Sequence, residues 1–191
     1  PGTPPVNLRV TYHYGFSMPT GGGEYERGKT FALGGGFASV TQGQSLQTEL
    51  TAFQAGGIVQ VEDSGLYAEA LSLNLPAEAK VEVRAANEHR PTLVLSGDWT
   101  ITLAPGSELT LNGLLITGGR LHVVAAGAGG TRLLRLRHCT LVPGLSLTRE
   151  GEPVSPSAAS LVIEREGTTV EIDHCVLGGI RAVDGADLSI T

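Results

Sequence analysis

Three segments in the second half of the chain superimpose residue for residue: Leu109-Thr-Leu-Asn-Gly-Leu-Leu-Ile116, Leu134-Arg-Leu-Arg-His-Cys-Thr-Leu141 and Val170-Glu-Ile-Asp-His-Cys-Val-Leu177. Each alternates apolar and polar residues and then breaks at a Gly or a His. A strand this short cannot bury its apolar face alone, so recurrence at comparable but unequal intervals implies stacking, coil upon coil. The chain is therefore expected to be all-β, a parallel β-solenoid in which each turn covers the next.

Taking the second inward residue of the repeat as a marker gives Val61, Val83, Leu111, Leu136, Ile172 and Ile190, at spacings of 22, 28, 25, 36 and 18 by subtraction. Strands hold register while corners absorb insertions, so the step from Leu136 to Ile172 is expected to carry a projecting loop at 145–159, with Pro153 and Pro156. Further strands are expected at Thr92–Leu95, Thr100–Leu103, Arg120–Val124 and Ser160–Glu164. The alignment sets Arg135 opposite Glu171, Arg137 opposite Asp173 and Glu62 opposite Arg84. Rungs about 4.8 Å apart let such pairs interact. Exposed pairs add only ~0.2–1 kcal/mol each, so they select the register more than they stabilise the fold.

Residues 1–57 lack the repeat. One strand-like stretch, Val6 to Tyr14, precedes the glycine runs Gly21–Gly23 and Gly34–Gly36. Ser45 can cap a short helix in which Leu46, Leu50 and Phe53 share one face, with Gly56-Gly57 as the stop. A solenoid end exposes unpaired strand edges, so 1–57 is expected to be a Gly-rich N-terminal cap with one short helix, and 58–191 the coils. The aromatic residues Tyr12, Tyr14, Phe16, Tyr25, Phe31 and Phe37 are expected to plug that end, leaving Trp99 almost alone on the coils. Leu188 and Ile190 match Val170 and Ile172, so the last coil reads as incomplete, an open edge that invites a protein partner or a second copy.

Bulk properties narrow the function. With 191 residues and an apolar fraction of 41%, the chain can build a sizeable core, and its 27 glycines are scattered as coil corners require. The formal charge of −6 argues against a general nucleic-acid or anionic-membrane binder, which needs a basic face. No stretch approaches the roughly 20 apolar residues that cross a bilayer, so a soluble chain with no membrane insertion is expected. The N-terminus lacks the blocks of a secretory signal, and its opening Pro1-Gly-Thr-Pro-Pro5 reads as a fragment or processed form, so no compartment is assigned. Neither glycine run continues into the Gly-Lys-Ser/Thr of a phosphate loop, and no cofactor is expected.

The apolar-x-apolar-x-His-Cys-x-apolar pattern at 134–141 and 170–177 resembles the strand-and-turn repeat of right-handed parallel β-helix proteins, the pectin-lyase-like superfamily. The resemblance covers roughly residues 45–191 and implies a right-handed coil. Those coils often carry Asn before Cys at the bend. Here His138 and His174 stand there, with Gly113 in the preceding coil, which suits a left-handed backbone conformation. The helix, Gly56-Gly-Ile-Val-Gln-Val-Glu-Asp-Ser-Gly-Leu-Tyr67, Arg137-His-Cys-Thr-Leu-Val-Pro-Gly144 and the lead-in Tyr12-His-Tyr-Gly-Phe-Ser17 with Gly21-Gly-Gly-Glu-Tyr25 together look like uncharacterised bacterial β-helix proteins associated with phage tails and tail-like contractile machines. That likeness implies a non-enzymatic structural or adhesive module of a larger assembly, in the bacterial cytoplasm or exported, with protein partners or self-association through the last coil.

The alternative implied by the superfamily is a polysaccharide lyase or glycoside hydrolase, which works through clustered carboxylates, with calcium and an arginine base in the lyases. The nearest approach to such a cluster is Glu62 and Asp63 with Glu82 and Arg84 one coil on; Asp184 and Asp187 with Asp173 form a poorer one. Alternating signs neutralise carboxylates rather than raise their pKa, so the first group is expected to be a salt-bridge ladder, with polysaccharide as a second class of partner only if it is not. His138, His174, Cys139 and Cys175 carry the atoms of a tetrahedral zinc site. In this register, however, the cysteines follow Leu114 into the core while the histidines stay at the corner, so buried thiols and turn histidines are expected instead. A disulfide between the cysteines suits the rung spacing, but parallel side chains in register rarely reach the required torsion, which favours free thiols.

Overall fold

The computed structural model of the chain describes residues 18–32, 34–164 and 167–182. The expected strand at 6–14, Tyr12, Tyr14, Phe16, Asp184, Asp187, Leu188 and Ile190 lie outside them.

Alternation at a period of two sends successive side chains to opposite faces of a strand, and here one face always points into a common column. The chain enters with β1 (Phe37–Val40) and α1 (Leu46–Phe53). The first coil is β2 (Gly57–Val61), β3 (Leu66–Glu69) and β4 (Ser72–Leu75). The second is β5 (Lys80–Ala85), β6 (Thr92–Leu95) and β7 (Trp99–Leu103), and the third β8 (Glu108–Asn112), β9 (Leu115–Thr117) and β10 (Leu121–Ala125). The fourth is β11 (Arg132–Arg137), β12 (Thr140–Leu141) and β13 (Ala159–Glu164), after which come β14 (Thr168–Asp173) and β15 (Gly179–Ala182). Among the described residues these form three sheets, ordered β1-β2-β5-β8-β11-β14, β3-β6-β9-β12 and β4-β7-β10-β13-β15. Every strand pairing is parallel, and the stack is a β-solenoid of about four turns.

Leu111, Leu136 and Ile172 lie over one another, with Val83 and Val59 continuing the column below. Val59, Val83, Leu111 and Leu136 are fully buried, and Ile172 is partly so. Each enclosed Val or Leu contributes roughly 1.5–3 kcal/mol by leaving water. The expected marker Val61 is displaced by one period: it pairs with Ala85 above and Val40 below, while Val59 is the residue under Val83. A slip of two leaves the same side chains facing inward, so apolar pattern alone does not resist it. The consequence is that Gln60, not Glu62, lies opposite Arg84. Glu62 follows the strand and accepts hydrogen bonds from Gln60 Nε2 at 3.0 Å and Ser39 Oγ at 2.7 Å.

Bends between the first and second sheets need a backbone that L residues avoid. Gly113, His138 and His174 occupy that corner in consecutive coils with φ of 77°, 49° and 50°, the left-handed conformation expected of them. At the N-terminal end, α1 lies against β1–β4 and drives Leu46 and Leu50 into the open column. Ser45 Oγ accepts from Thr48 N at 3.3 Å, and the Glu69 carboxylate accepts from Leu46 N at 2.9 Å and Gln47 N at 3.2 Å, satisfying amides that the first turn leaves without partners.

The described lead-in takes a different place from the expected plug. Residues 18–32 form a strap down the outside of the stack, from Gly21 N on His174 O (2.7 Å) to Ala32 N on Glu82 Oε2 (2.9 Å). Tyr25 and Phe31 therefore sit on the flank, beside His138 and Arg84, Phe37 is half exposed on β1, and Trp99 is wholly buried inside the third sheet. It is the helix that closes the end, because a strap short of alternating apolar residues has nothing to offer an open core. The long step between β12 and β13 is a hairpin-like excursion, closed by Thr148 N on Glu152 O (2.7 Å) and Val154 N on Ser146 O (2.9 Å), with Leu147 and Val154 exposed.

Candidate functional site

The outward positions of the first sheet carry the densest charge in the described chain, and the strap lies across them. Lys80 on β5 and Arg135 on β11 both bind Glu108 on β8, at 2.6 and 2.9 Å, and Arg135 also binds Glu171 on β14 at 2.7 Å. The hydrogen bond from Lys80, with a second from Arg135, holds the Glu108 carboxyl below its usual range. Burial works against the charge of Arg135, but its bonds to Glu171 and Glu108 outweigh that and raise its pKa. Arg137 pairs in register with Asp173 without an ion pair between them: Arg137 Nη1 donates to Thr30 O at 3.3 Å, and Asp173 Oδ1 lies 2.5 Å from His174 Nδ1. The strap carbonyl captures the arginine first.

Nearer the N-terminal end the same face is sealed. Glu82, only 3% exposed, accepts from Ala32 N at 2.9 Å, Arg84 Nη1 at 3.2 Å and Asn112 Nδ2 at 3.4 Å. Arg84 in turn donates to Gln60 Oε1 at 2.7 Å and lays its guanidinium 4.2 Å above the Phe31 ring, a cation–π contact made by the strap. Of the four candidate catalytic residues, Glu82 and Arg84 thus form a buried pair, and Glu62 reaches it only through Gln60. Asp63 is elsewhere, in the turn after β2, where burial of its carboxyl is outweighed by bonds from Gln42 N (2.8 Å), Tyr67 Oη (2.8 Å) and Gly65 N (2.8 Å) that lower its pKa. It is a turn-closing carboxylate.

At the corner, the imidazoles of His138 and His174 lie 5.1 Å apart, tilted by 36°. The one hydroxyl proton of Tyr25 goes to Gly21 O at 2.6 Å, so His138 Nδ1 is the donor in its 3.0 Å contact with Tyr25 Oη. Burial, followed by the charge of His174, lowers the pKa of His138; burial raises Tyr25 to about 12. One coil below, Gly113 provides the room in which Arg27 lies: a Cβ there would meet the guanidinium. Arg27, 2% exposed, binds no carboxylate among the described residues; it donates to Gly23 O at 2.6 Å, to Ala86 O at 2.7 Å and to His89 O. Desolvation lowers its pKa.

Cys139 and Cys175 follow the two histidines as free thiols, the first buried and the second partly so. Sulfur points inward and imidazole outward, and among the described residues no three His, Cys, Asp or Glu side chains converge to hold a metal ion. Two of the open clefts border these charged and imidazole side chains. One of about 310 Å³ lies between Gly34-Gly35 and a floor that includes Glu82, Glu108 and Arg135; the other, of about 340 Å³, lies between Lys29, Thr30, His138, Asp173 and His174. The first has room for a small polar ligand, but the carboxylates on its floor are bound to cations or amides, which suits ionic contact rather than proton transfer.

The strap residues Tyr25, Arg27 and Thr30, and Asn112 beneath them, were not legible as a group. The one available signal was Gly113 at a bend where the next coils have His, a vacancy that another side chain fills. No helix among the described residues is long and apolar enough to cross a membrane. Comparison of the chain with protein-family models, with curated proteins and with solved structures finds no match in any of the three.

Proposed function

We propose that the chain is a non-enzymatic structural or adhesive β-solenoid module of a larger bacterial or phage-tail-like assembly, wound right-handed like the pectin-lyase-like coils it resembles. The observation that carries this reading is the strap. It crosses one side of the outward face on which acidic and basic side chains are densest, consumes Glu82, Arg84 and Arg137 in its own anchorage, and leaves the Lys80–Glu108–Arg135–Glu171 ladder, already neutralised by its own pairs, beside it. Among the described residues, the carboxylates whose pKa departs from the ordinary range, Glu26, Asp63 and Glu108, are all lowered, leaving them ionised where a general acid needs a proton. A neutralised, clasped stack is a rigid spacer, and its contact surfaces are the exposed end of the ionic ladder and the 145–159 hairpin with Leu147 and Val154.

Two measurements test the reading together. The tagged chain purified from the organism that expresses it is expected to travel with large particles of tail-like form under negative-stain electron microscopy. The isolated protein is expected to leave a panel of acidic and neutral polysaccharides intact. A chain that runs free of particles and cleaves a polysaccharide, with cleavage lost in Glu82→Gln, would establish the enzymatic alternative.

A further inference from the structure

Cys139 and Cys175 occupy equivalent positions in consecutive coils, each directly after a left-handed histidine. Register is fixed on both sides of them: Arg137 pairs with Asp173 before, and Thr140 with Val176 after. Their backbones are therefore one rung apart, about 4.8 Å, within the roughly 4.4–6.8 Å between Cα atoms that a disulfide spans. Side chains on flat rungs stand parallel and miss the torsion, but these two sit where the chain turns. Cys175 Sγ already leans across the gap, accepting a hydrogen bond from Cys139 N at 3.3 Å. Each thiol directs its own proton to a backbone carbonyl, Cys139 Sγ to Arg137 O at 3.2 Å and Cys175 Sγ to Asp173 O at 3.2 Å.

We propose that Cys139 and Cys175 are an oxidisable dithiol, a modification site that a small-molecule disulfide converts into a covalent staple between the coils of β11 and β14. Cys175 is the partly accessible member, and the hydrogen bond from Cys139 lowers its thiol pKa, while burial holds Cys139 well above the usual value. The order of events follows. The Cys175 thiolate attacks one sulfur of the small disulfide, forming a mixed disulfide and releasing one small thiolate. Cys139 then attacks Cys175 Sγ, expelling the second small thiolate, which takes the proton that Cys139 gives up. The protein loses two protons and two electrons, and the small disulfide takes them up to become two thiols. The closed loop contains the 145–159 hairpin, so oxidation tethers both of its ends to one corner.

The test is incubation of the whole chain with oxidised glutathione, followed by intact mass and unreduced peptide mapping. The expected product is about 2 Da lighter than the starting protein, with peptides carrying Cys139 and Cys175 linked within one chain. Cys139→Ser is expected to stop at a stable glutathione adduct on Cys175, and the wild-type result decides the matter if that variant does not fold. A wild-type chain that keeps the adduct on Cys175, links to a second chain, or leaves both thiols unmodified while urea-unfolded protein reacts overturns the proposal.

Discussion

Replacing Gly113 by alanine strikes the point where strap and stack meet. Two costs arise. Gly113 has φ of 77°, and holding an L residue there costs about 1–2 kcal/mol. The new methyl also occupies the position of the Arg27 guanidinium, which is bound to the carbonyls of Gly23, Ala86 and His89. Moving it breaks at least one bond to a charged donor, a loss of about 2–3 kcal/mol. The sum, about 3–5 kcal/mol, corresponds to a fall in melting temperature of roughly 6–20 °C for a chain of this size. Urea denaturation with an unchanged slope is the assay. In an Arg27→Ala background only the backbone strain remains, so the same substitution should cost about 1–2 kcal/mol, leaving a coupling of about 2–3 kcal/mol. Equal costs in the two backgrounds would refute the contact and, with it, the strap as a clasp on the third coil.

The remaining expectations concern core, corner and flank. Leu136→Ala, at a fully enclosed rung, should cost about 2–5 kcal/mol in the same denaturation assay. His138 has its pKa lowered in the folded chain, so its contribution is present above the ordinary value of 6.5 and is lost as pH falls through the folded value. Thermal melts should therefore show stability declining as the solution is acidified below 6.5, and His138→Asn, which keeps a side chain tolerant of the left-handed backbone, should flatten that part of the curve. Arg135→Ala removes both bonds to Glu108 and Glu171 and should cost about 0.5–1 kcal/mol at low salt, a loss that shrinks by half or more in 1 M sodium chloride.

The stacked coils could be read from the chain because their cause is local. Leu109 to Ile116, Leu134 to Leu141 and Val170 to Leu177 state the same alternation three times, and the left-handed corner at Gly113, His138 and His174 was visible as the interruption they share. The Arg135–Glu171 pair followed from that register. The first coil was harder, since Ile58, Val59 and Val61 offer two equivalent ways to set β2 under β5. Only the choice between Gln60 and Glu62 opposite Arg84 separates them, and a polar pair selects register weakly. The strap was illegible for a different reason. It has no period, and single contacts between residues far apart in sequence hold it, such as Arg27 with Ala86 and Thr30 with Asn112. Nothing in the local sequence of 18–32 names those partners.

Methyl-to-methyl nuclear Overhauser contacts in a sample labelled on Ile, Leu and Val test the stack most directly. Rungs about 4.8 Å apart bring methyl groups on facing residues within contact range. Cross-peaks are expected along the series Val59–Val83, Val83–Leu111, Leu111–Leu136 and Leu136–Ile172. Assigned spectra in which Leu136 touches neither Leu111 nor Ile172 would contradict the column, the ionic ladder on its outside and the strap that crosses it.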